Sequence, residues 1–182
     1  MVYEAAEDSF LLSSCVKAHI STMSKKARES CKVLDLGCGN CIQAESCVEA
    51  GIPRENIMAA DIEEKAVELA RQKGFCAVCS DLFSSLEGTF DIIIFNPPYL
   101  PAHKNDKAPD TTGGKRGDET TAAFLEQARQ HLKENGVVLL LLSSLTPHKK
   151  IEKLIKKYYE AEQIGEKKLF FEKLFVLRLR KK

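Results

Sequence analysis

The chain has 182 residues, 44% hydrophobic and 29% charged, with a formal net charge of +1 and a pI near 7.6. That length suits one domain with one sizeable core, expected over residues 1–182, and the balanced charge excludes a global basic field for nucleic acid. The longest apolar run, Val137 to Leu142, is too short to cross a bilayer, and the acidic start Met1-Val2-Tyr3-Glu4 has no signal-peptide pattern. The expected compartment is the cytosol, with a nuclear pool compatible.

In chain order, Glu7-Asp8-Ser9 caps a predicted helix over 8–23, with Phe10, Leu11 and Leu12 starting its apolar face. Polar residues Ser24-Lys25-Lys26 lead toward a first strand, Lys32-Val33-Leu34-Asp35-Leu36, which runs into Gly37-Cys38-Gly39-Asn40-Cys41. A helix is predicted over 42–50, then a strand over 57–60 closing on Asp61, a helix over 63–73 and a short strand over 75–80 before Asp81. The apolar strand Asp91-Ile92-Ile93-Ile94-Phe95 ends in Asn96-Pro97-Pro98-Tyr99. The long polar stretch 102–118 reads as a lid or substrate loop. A helix over 119–132 and the turn Asn135-Gly136 precede a buried strand over 137–142 and a helix over 148–159. Runs at 161–169 and 174–179 close the chain as a hairpin, with Leu169-Phe170-Phe171 able to join either. The basic tail from Lys149, with 12 Lys/Arg against 5 Glu, reads as a solvated helix face and sheet edge. Strand–helix alternation with a terminal hairpin predicts an α/β fold with a mostly parallel, doubly wound sheet and an antiparallel edge.

Function concentrates at the strand ends. Glycines at 37 and 39 let the backbone bend and approach a ligand, but Ile42 stands where a dinucleotide fingerprint needs a third glycine, which counts against a nicotinamide dehydrogenase. Asp61, twenty-two residues past Gly39, could accept from both ribose hydroxyls. Asp35, Asp61, Asp81 and Asn96 each fall at or near the carboxyl end of a predicted strand, the edge where open parallel sheets bind ligands. Pro97 and Pro98 fix two φ angles and donate no N–H, leaving carbonyls free to accept. Such a rim suits a planar amine or amide. The Asn96 oxygen and a backbone carbonyl would take its two N–H groups.

Seven cysteines without a secretory context read as reduced thiols. The pairs Cys38/Cys41 and Cys76/Cys79 have chelating spacing. However, Cys76 and Cys79 lie on a strand, where i and i+3 point to opposite faces, so no metal is expected in this chain.

Three segments together resemble the HemK family of glutamine methyltransferases: Tyr3 to Leu12, Val33 to Gly39, and Phe95 to Tyr99. The likeness is greatest to the short eukaryotic and archaeal branch that modifies the class-one translation release factor. The chain is expected to lack the extra N-terminal helical domain of bacterial relatives. The resemblance implies a class I methyltransferase fold, Rossmann-like, using S-adenosylmethionine. It implies Asp35, Gly37 and Gly39 beside the cofactor, Ser9 near its carboxylate, Asp61 at the ribose, Ile62 also among the cofactor-binding residues, and Asp81 with Leu82 near the adenine. Asn96, Pro97 and Tyr99 would hold the acceptor amide, with Asn96 also bordering the cofactor. Two residues depart from the family pattern: Ala5 replaces a proline and Cys41 replaces the third loop glycine.

The chemistry then needs positioning more than proton transfer, because an amide nitrogen is a poor nucleophile and the sulfonium is already activated. Competing acceptors are the exocyclic amine of adenine in DNA or RNA and a protein lysine. A base would call for more basic surface, and an ammonium fits the amide-shaped rim less well. A nucleotide-binding module without catalysis would be favoured by a degraded rim, and the rim is intact. The resemblance also implies a heterodimer with a small zinc-binding activator subunit. The apolar, uncharged strand Phe75 to Cys79, expected at a sheet edge, is where an added strand could cover it.

Overall fold

The computed structural model describes residues 6–98 and 117–182, so Tyr3, Glu4, Ala5, Tyr99 and most of the predicted loop 102–118 lie outside the described residues. Five strands run parallel: β1 (Val33–Leu36), β2 (Ile57–Asp61), β3 (Cys76–Cys79), β4 (Phe90–Phe95) and β5 (Leu132–Ser143). β6 (Tyr159–Lys168) and β7 (Lys173–Lys181) form the closing hairpin, with β7 antiparallel to β5. The sheet order is β3-β2-β1-β4-β5-β7-β6, so the chain reverses direction across the sheet between β1 and β4. That reversal is the place where the crevice outside the strand ends opens.

Alternation along the apolar strands supplies both cores. Ile92 and Ile94 of β4 face one side, and Ile93 and Phe95 the other, so a continuous apolar run is buried twice. The first layer is α1 (Glu7–Ser21), α3 (Ile42–Glu49) and α4 (Glu64–Gln72), which contribute Leu12, Val16, Ala44, Cys47, Ala66 and Ala70. The second is α5 (Glu119–His131) and α6 (His148–Tyr158), with Phe124, Leu125, Ile151 and Leu154 packed on Ile93, Phe95, Leu140 and Leu142. No helix among the described residues is long and apolar enough to cross a membrane.

Four local expectations change. Glu7, Asp8 and Ser9 do not cap α1 from outside: Ala6 is the N-cap and makes no side-chain cap bond, while Asp8 and Ser9 turn inward and are buried. Ser24 to Ser30 is not a bare connection. It forms α2 (Lys25–Ser30), which buries no residue and so leaves no apolar period, and the Ser24 hydroxyl accepts from the Ala27 N–H at 3.2 Å. Asn135-Gly136 lies inside β5 as a bulge, between the pairs Phe90–Leu132 and Ile92–Val137. A Cβ on Gly136 would stand 2.8 Å from Leu132 Cδ1 and 3.0 Å from the Phe90 carbonyl oxygen, which accounts for the glycine. Leu169 to Phe171 belongs to neither strand of the hairpin: it makes the turn, closed by Leu169 N–H donating to Glu172 O at 2.7 Å, with Phe170 92% and Phe171 85% exposed.

α1 is seated on the hairpin at Gly165, where the β6 register slips between Gln163 and Gly165. A Cβ there would overlap the Cys15 sulfur. Gly165→Ala is expected to destabilise the fold by about 1–3 kcal/mol, the usual cost of overpacking. A thermal melt checks it, and adding Cys15→Ala should recover part of the loss, as coupling between touching residues requires.

Candidate active site

The site is built by strand register. Leu36 of β1 stands level with Ala60 of β2 and with Phe95 of β4, so the next residues, Gly37, Asp61 and Asn96, leave the sheet side by side. Adjacent strands are spaced about 4.8 Å apart, which puts the glycine loop between a carboxylate and a carboxamide. Gly37 and Gly39 have φ of 65° and 49°, and a Cβ on Gly37 would lie 3.4 Å from the Phe95 ring. Cys41 also takes a left-handed φ of 67°, fully buried, at the position where the resemblance leads one to expect glycine. The usual glycine there is explained by this backbone, which a side chain can adopt only with strain.

The carboxylates have structural partners of their own. Asp61 Oδ2 accepts from the Gly39 N–H and Oδ1 from the Glu63 N–H, both at 2.9 Å, so Asp61 holds the loop closed while staying half-exposed. Asp35 lies two residues before the loop and beneath it. Only 1% exposed, it takes the Ala44 N–H at 3.0 Å and so satisfies the first turn of α3 from the strand below. Asp81, expected in register with these, is exposed two residues beyond β3. Leu82 beside it is half-buried with φ of 48°, and Ile62 is 58% exposed after Asp61. The structure thus brings Gly37, Asp61 and Asn96 together and sets Asp35 below them.

Just past β4, where an acceptor rim is expected, Pro97 is buried and Pro98 half-buried. Asn96 Nδ2 donates to Asp8 Oδ2 at 3.1 Å, and Asn96 Oδ1 is buried without a hydrogen-bond partner among the described residues. Ser9 is 2% exposed: its N–H donates to Asp8 Oδ1 at 2.6 Å, and its carbonyl accepts from Gln43 Nε2 at 3.0 Å. Gln43 Oε1, like Asn96 Oδ1, is a buried acceptor without a partner among the described residues. Sequence reasoning missed Gln43 altogether and took Asp8 for a cap. A glutamine one residue into a predicted helix behind a glycine loop was the signal available.

Among the described residues no group of three or more His, Cys, Asp or Glu could hold a metal ion. Cys76 and Cys79 are both exposed, whereas the Cys41 thiol beside it and then burial push the Cys38 thiol well above its ordinary pKa.

Asp35 generates a pH dependence. Burial raises its carboxyl to about 7, with the Ala44 hydrogen bond opposing and the Asp61 charge adding. An unfolded Asp titrates near about 3.9. The folded chain therefore keeps a proton that the unfolded chain releases, and this contribution to stability is full below about pH 4 and lost as pH rises through about 7. Asp35→Asn keeps an acceptor for Ala44. Its melting temperature, compared with wild type across this window, should gain on the parent as pH rises.

The methyltransferase small domain family matches residues 13–171. A chain of Methanocaldococcus jannaschii described as a protein N5-glutamine methyltransferase is 35% identical over 188 aligned positions, covering 97% of this chain and 90% of the relative. A release factor glutamine methyltransferase of Rhodopirellula baltica is 30% identical over 65% of this chain, which spans 46% of that relative. A ribosomal RNA small subunit methyltransferase C of Haemophilus influenzae is 30% identical over 90% of this chain, which spans 45% of it. Among solved structures, the E. cuniculi Mtq2-Trm112 complex responsible for methylation of eRF1 superposes with a TM-score of 0.77 at 24% identity, covering 99% of this chain and 98% of that one. The family match over residues 13–171 and the relative covered to 90% therefore place this chain in the methyltransferase small domain family, among the HemK-like glutamine methyltransferases that use S-adenosylmethionine.

Proposed function

We propose that this enzyme methylates the side-chain amide nitrogen of a glutamine in the Gly-Gly-Gln loop of the class-one translation release factor. The observation that carries the reading is Asn96 Oδ1, a buried acceptor without a partner among the described residues, at the head of a proline rim. An unpaired buried acceptor costs about 1–3 kcal/mol, and an incoming N–H removes that cost. The Pro97 carbonyl is the second acceptor, so the pair matches the two N–H groups of a planar amide. Tyr99 follows in the chain as the ring to pack on the amide plane.

S-adenosylmethionine, when bound, supplies a methyl group already activated on a sulfonium. The residues present suit it. Gly37 and Gly39 offer backbone without side chains, Asp61 offers carboxylate oxygens at the edge, and Ile62 and Leu82 offer apolar walls near Asp81 for a purine. Ser9 lies in the first turn of α1, where a helix N-terminus favours a carboxylate, but its hydroxyl is buried on Asp8 Oδ1 at 3.3 Å and would have to turn from it to meet the cofactor. Asn96 and Pro97 hold the acceptor nitrogen in place and favour the charge developing on it. No side chain need act as base if the proton leaves to water after transfer.

One observation favours a second reading. The ribosomal RNA relative matches 90% of this chain, and a guanosine-bound 16S rRNA N2 G1207 methyltransferase of T. thermophilus shares the fold at a TM-score of 0.65. A nucleobase amine is also a planar N–H₂ group. The net charge of +1 and the matched span of about half of that relative weigh toward the protein acceptor. Purified release factor, its Gln→Ala variant and ribosomal RNA, offered side by side with labelled cofactor, separate the two. Label is expected on intact release factor alone, and label on RNA alone would overturn the proposal.

Asn96→Ala is expected to lower kcat by at least about 100-fold, the scale seen when one oriented polar group is removed from a transition-state site. Calorimetry should show cofactor affinity only modestly weaker. Asp61→Ala should instead raise the cofactor Kd about 10-fold or more, as the loss of a charged hydrogen bond of roughly 1.5–3 kcal/mol requires.

The same reading extends to a partner. β3 lies at the sheet edge with Cys76 and Cys79 exposed, and it carries no lysine or proline to blunt that edge. A small zinc-binding activator subunit, adding a strand there in the cytosol, is the proposed occupant. Cys76→Lys should abolish co-purification with such a subunit while leaving the melting temperature of the isolated chain near that of wild type.

A further inference from the structure

The carboxamide of Asn96 has two ends of nearly equal shape and opposite chemistry, one donating and one accepting. Only the oxygen is of use to an acceptor amide that brings its own N–H groups. Something must therefore hold the nitrogen end away from the substrate, and the proline rim cannot do so.

Asp8 stands where that group is needed. Its Oδ2 receives Asn96 Nδ2 at 3.1 Å, and an ionised carboxylate only accepts, so the opposite orientation would place two oxygens face to face. Asp8 is 3% exposed, and its other oxygen is held by the Ser9 N–H at 2.6 Å and the Ser9 hydroxyl at 3.3 Å. Ser9 is held in turn by Gln43 Nε2 on its carbonyl. Asp8 is not the N-cap, which is Ala6; its Oδ1 satisfies the Ser9 N–H of the first turn of α1, while its Oδ2 bonds Asn96 outside the helix. Burying a carboxylate is costly unless its hydrogen bonds compensate, and here those bonds run to the rim and to the chain that anchors it.

We infer that Asp8 is a positioning residue for methyl transfer: it fixes the orientation of the Asn96 carboxamide so that Oδ1 faces the acceptor. The inference rests on reading Asn96 as the ligand of the acceptor nitrogen. Asp8 does not touch the acceptor, and its effect passes through Asn96. The contact also joins α1 to the chain just past β4, so the first turn of α1 sets the rim while its Ser9–Gln43 bond ties it to the helix behind the glycine loop.

The experiment is a donor–acceptor exchange across the pair. Asp8→Asn keeps an oxygen for Ser9 but lets position 8 donate, so the Asn96 carboxamide is free to turn. Its kcat should fall about 10-fold or more, the kind of loss a small misplacement of a reacting group brings. Cofactor Kd and melting temperature should stay near wild type. Asn96→Asp sets two carboxylates against each other and should also be poor. Combined in one chain, Asp8→Asn and Asn96→Asp restore one donor and one acceptor. The double variant should then turn over faster than either single variant. Wild-type kcat in Asp8→Asn, or a double variant no better than the worse single, overturns the inference. So does a loss in Asp8→Asn that tracks cofactor Kd and melting temperature, which would mark a merely structural residue. If Asn96→Ala itself keeps wild-type turnover, the reading of the rim fails, which is a separate result from failure at Asp8 alone.

Discussion

The parallel pairing of β1 with both β2 and β4 is the constraint on which the rest depends. Leu36 level with Ala60 on one side and Phe95 on the other means that three chain segments leave the sheet at the same height. A slip of one residue in β4 would send Phe95 to the other layer and carry Asn96 out of line with Gly37. Register is held by burial on both faces, since Ile92 and Ile94 fill one core and Ile93 and Phe95 the other. The chemistry at the edge is therefore paid for by apolar packing below it.

The acidic residues at the strand ends show how a carboxylate can brace the scaffold and still stay accessible. Asp61 spends one hydrogen bond per oxygen on the loop and the turn after it, yet remains half-exposed at the crevice. A carboxylate oxygen has lone pairs to spare, so those bonds orient it without exhausting it. Asp35 has gone further inward. Its hydrogen bond from the Ala44 N–H satisfies α3, and burial keeps its proton affinity high. A negative charge directly under the loop would repel the Asp61 charge, and a raised pKa reduces that conflict.

α1 closes the arrangement from the first layer. It packs Leu12 and Val16 into the core and meets the hairpin at Gly165, so its first turn is carried on a fixed body. Glu7 pairs with Lys167 of β6 and Asp8 bonds Asn96 just past the end of β4, so consecutive residues reach two different parts of the sheet. The turn is thereby steadied from both sides, and a surface ion pair of small individual worth gains a geometric role.

The amino-acid sequence by itself determined the alternation of strands and helices, because apolar runs of four to six residues and the punctuating glycines are local signals. It placed Gly37, Gly39, Asp61 and Asn96 at strand ends for the same reason, and the edge position of β3 followed from the sheet class. It could not tell which strand-end acids look outward, since facing depends on which layer a residue joins. Asp35 and Asp61 read alike as letters and differ because one lies under α3 and the other beyond it. Nor did it show that Asp8, 88 positions from Asn96, would be its partner. Contacts across such a separation depend on how a helix is laid against a sheet, and that was decided by the packing of α1 on α3 and the hairpin, which no run of neighbouring residues encodes.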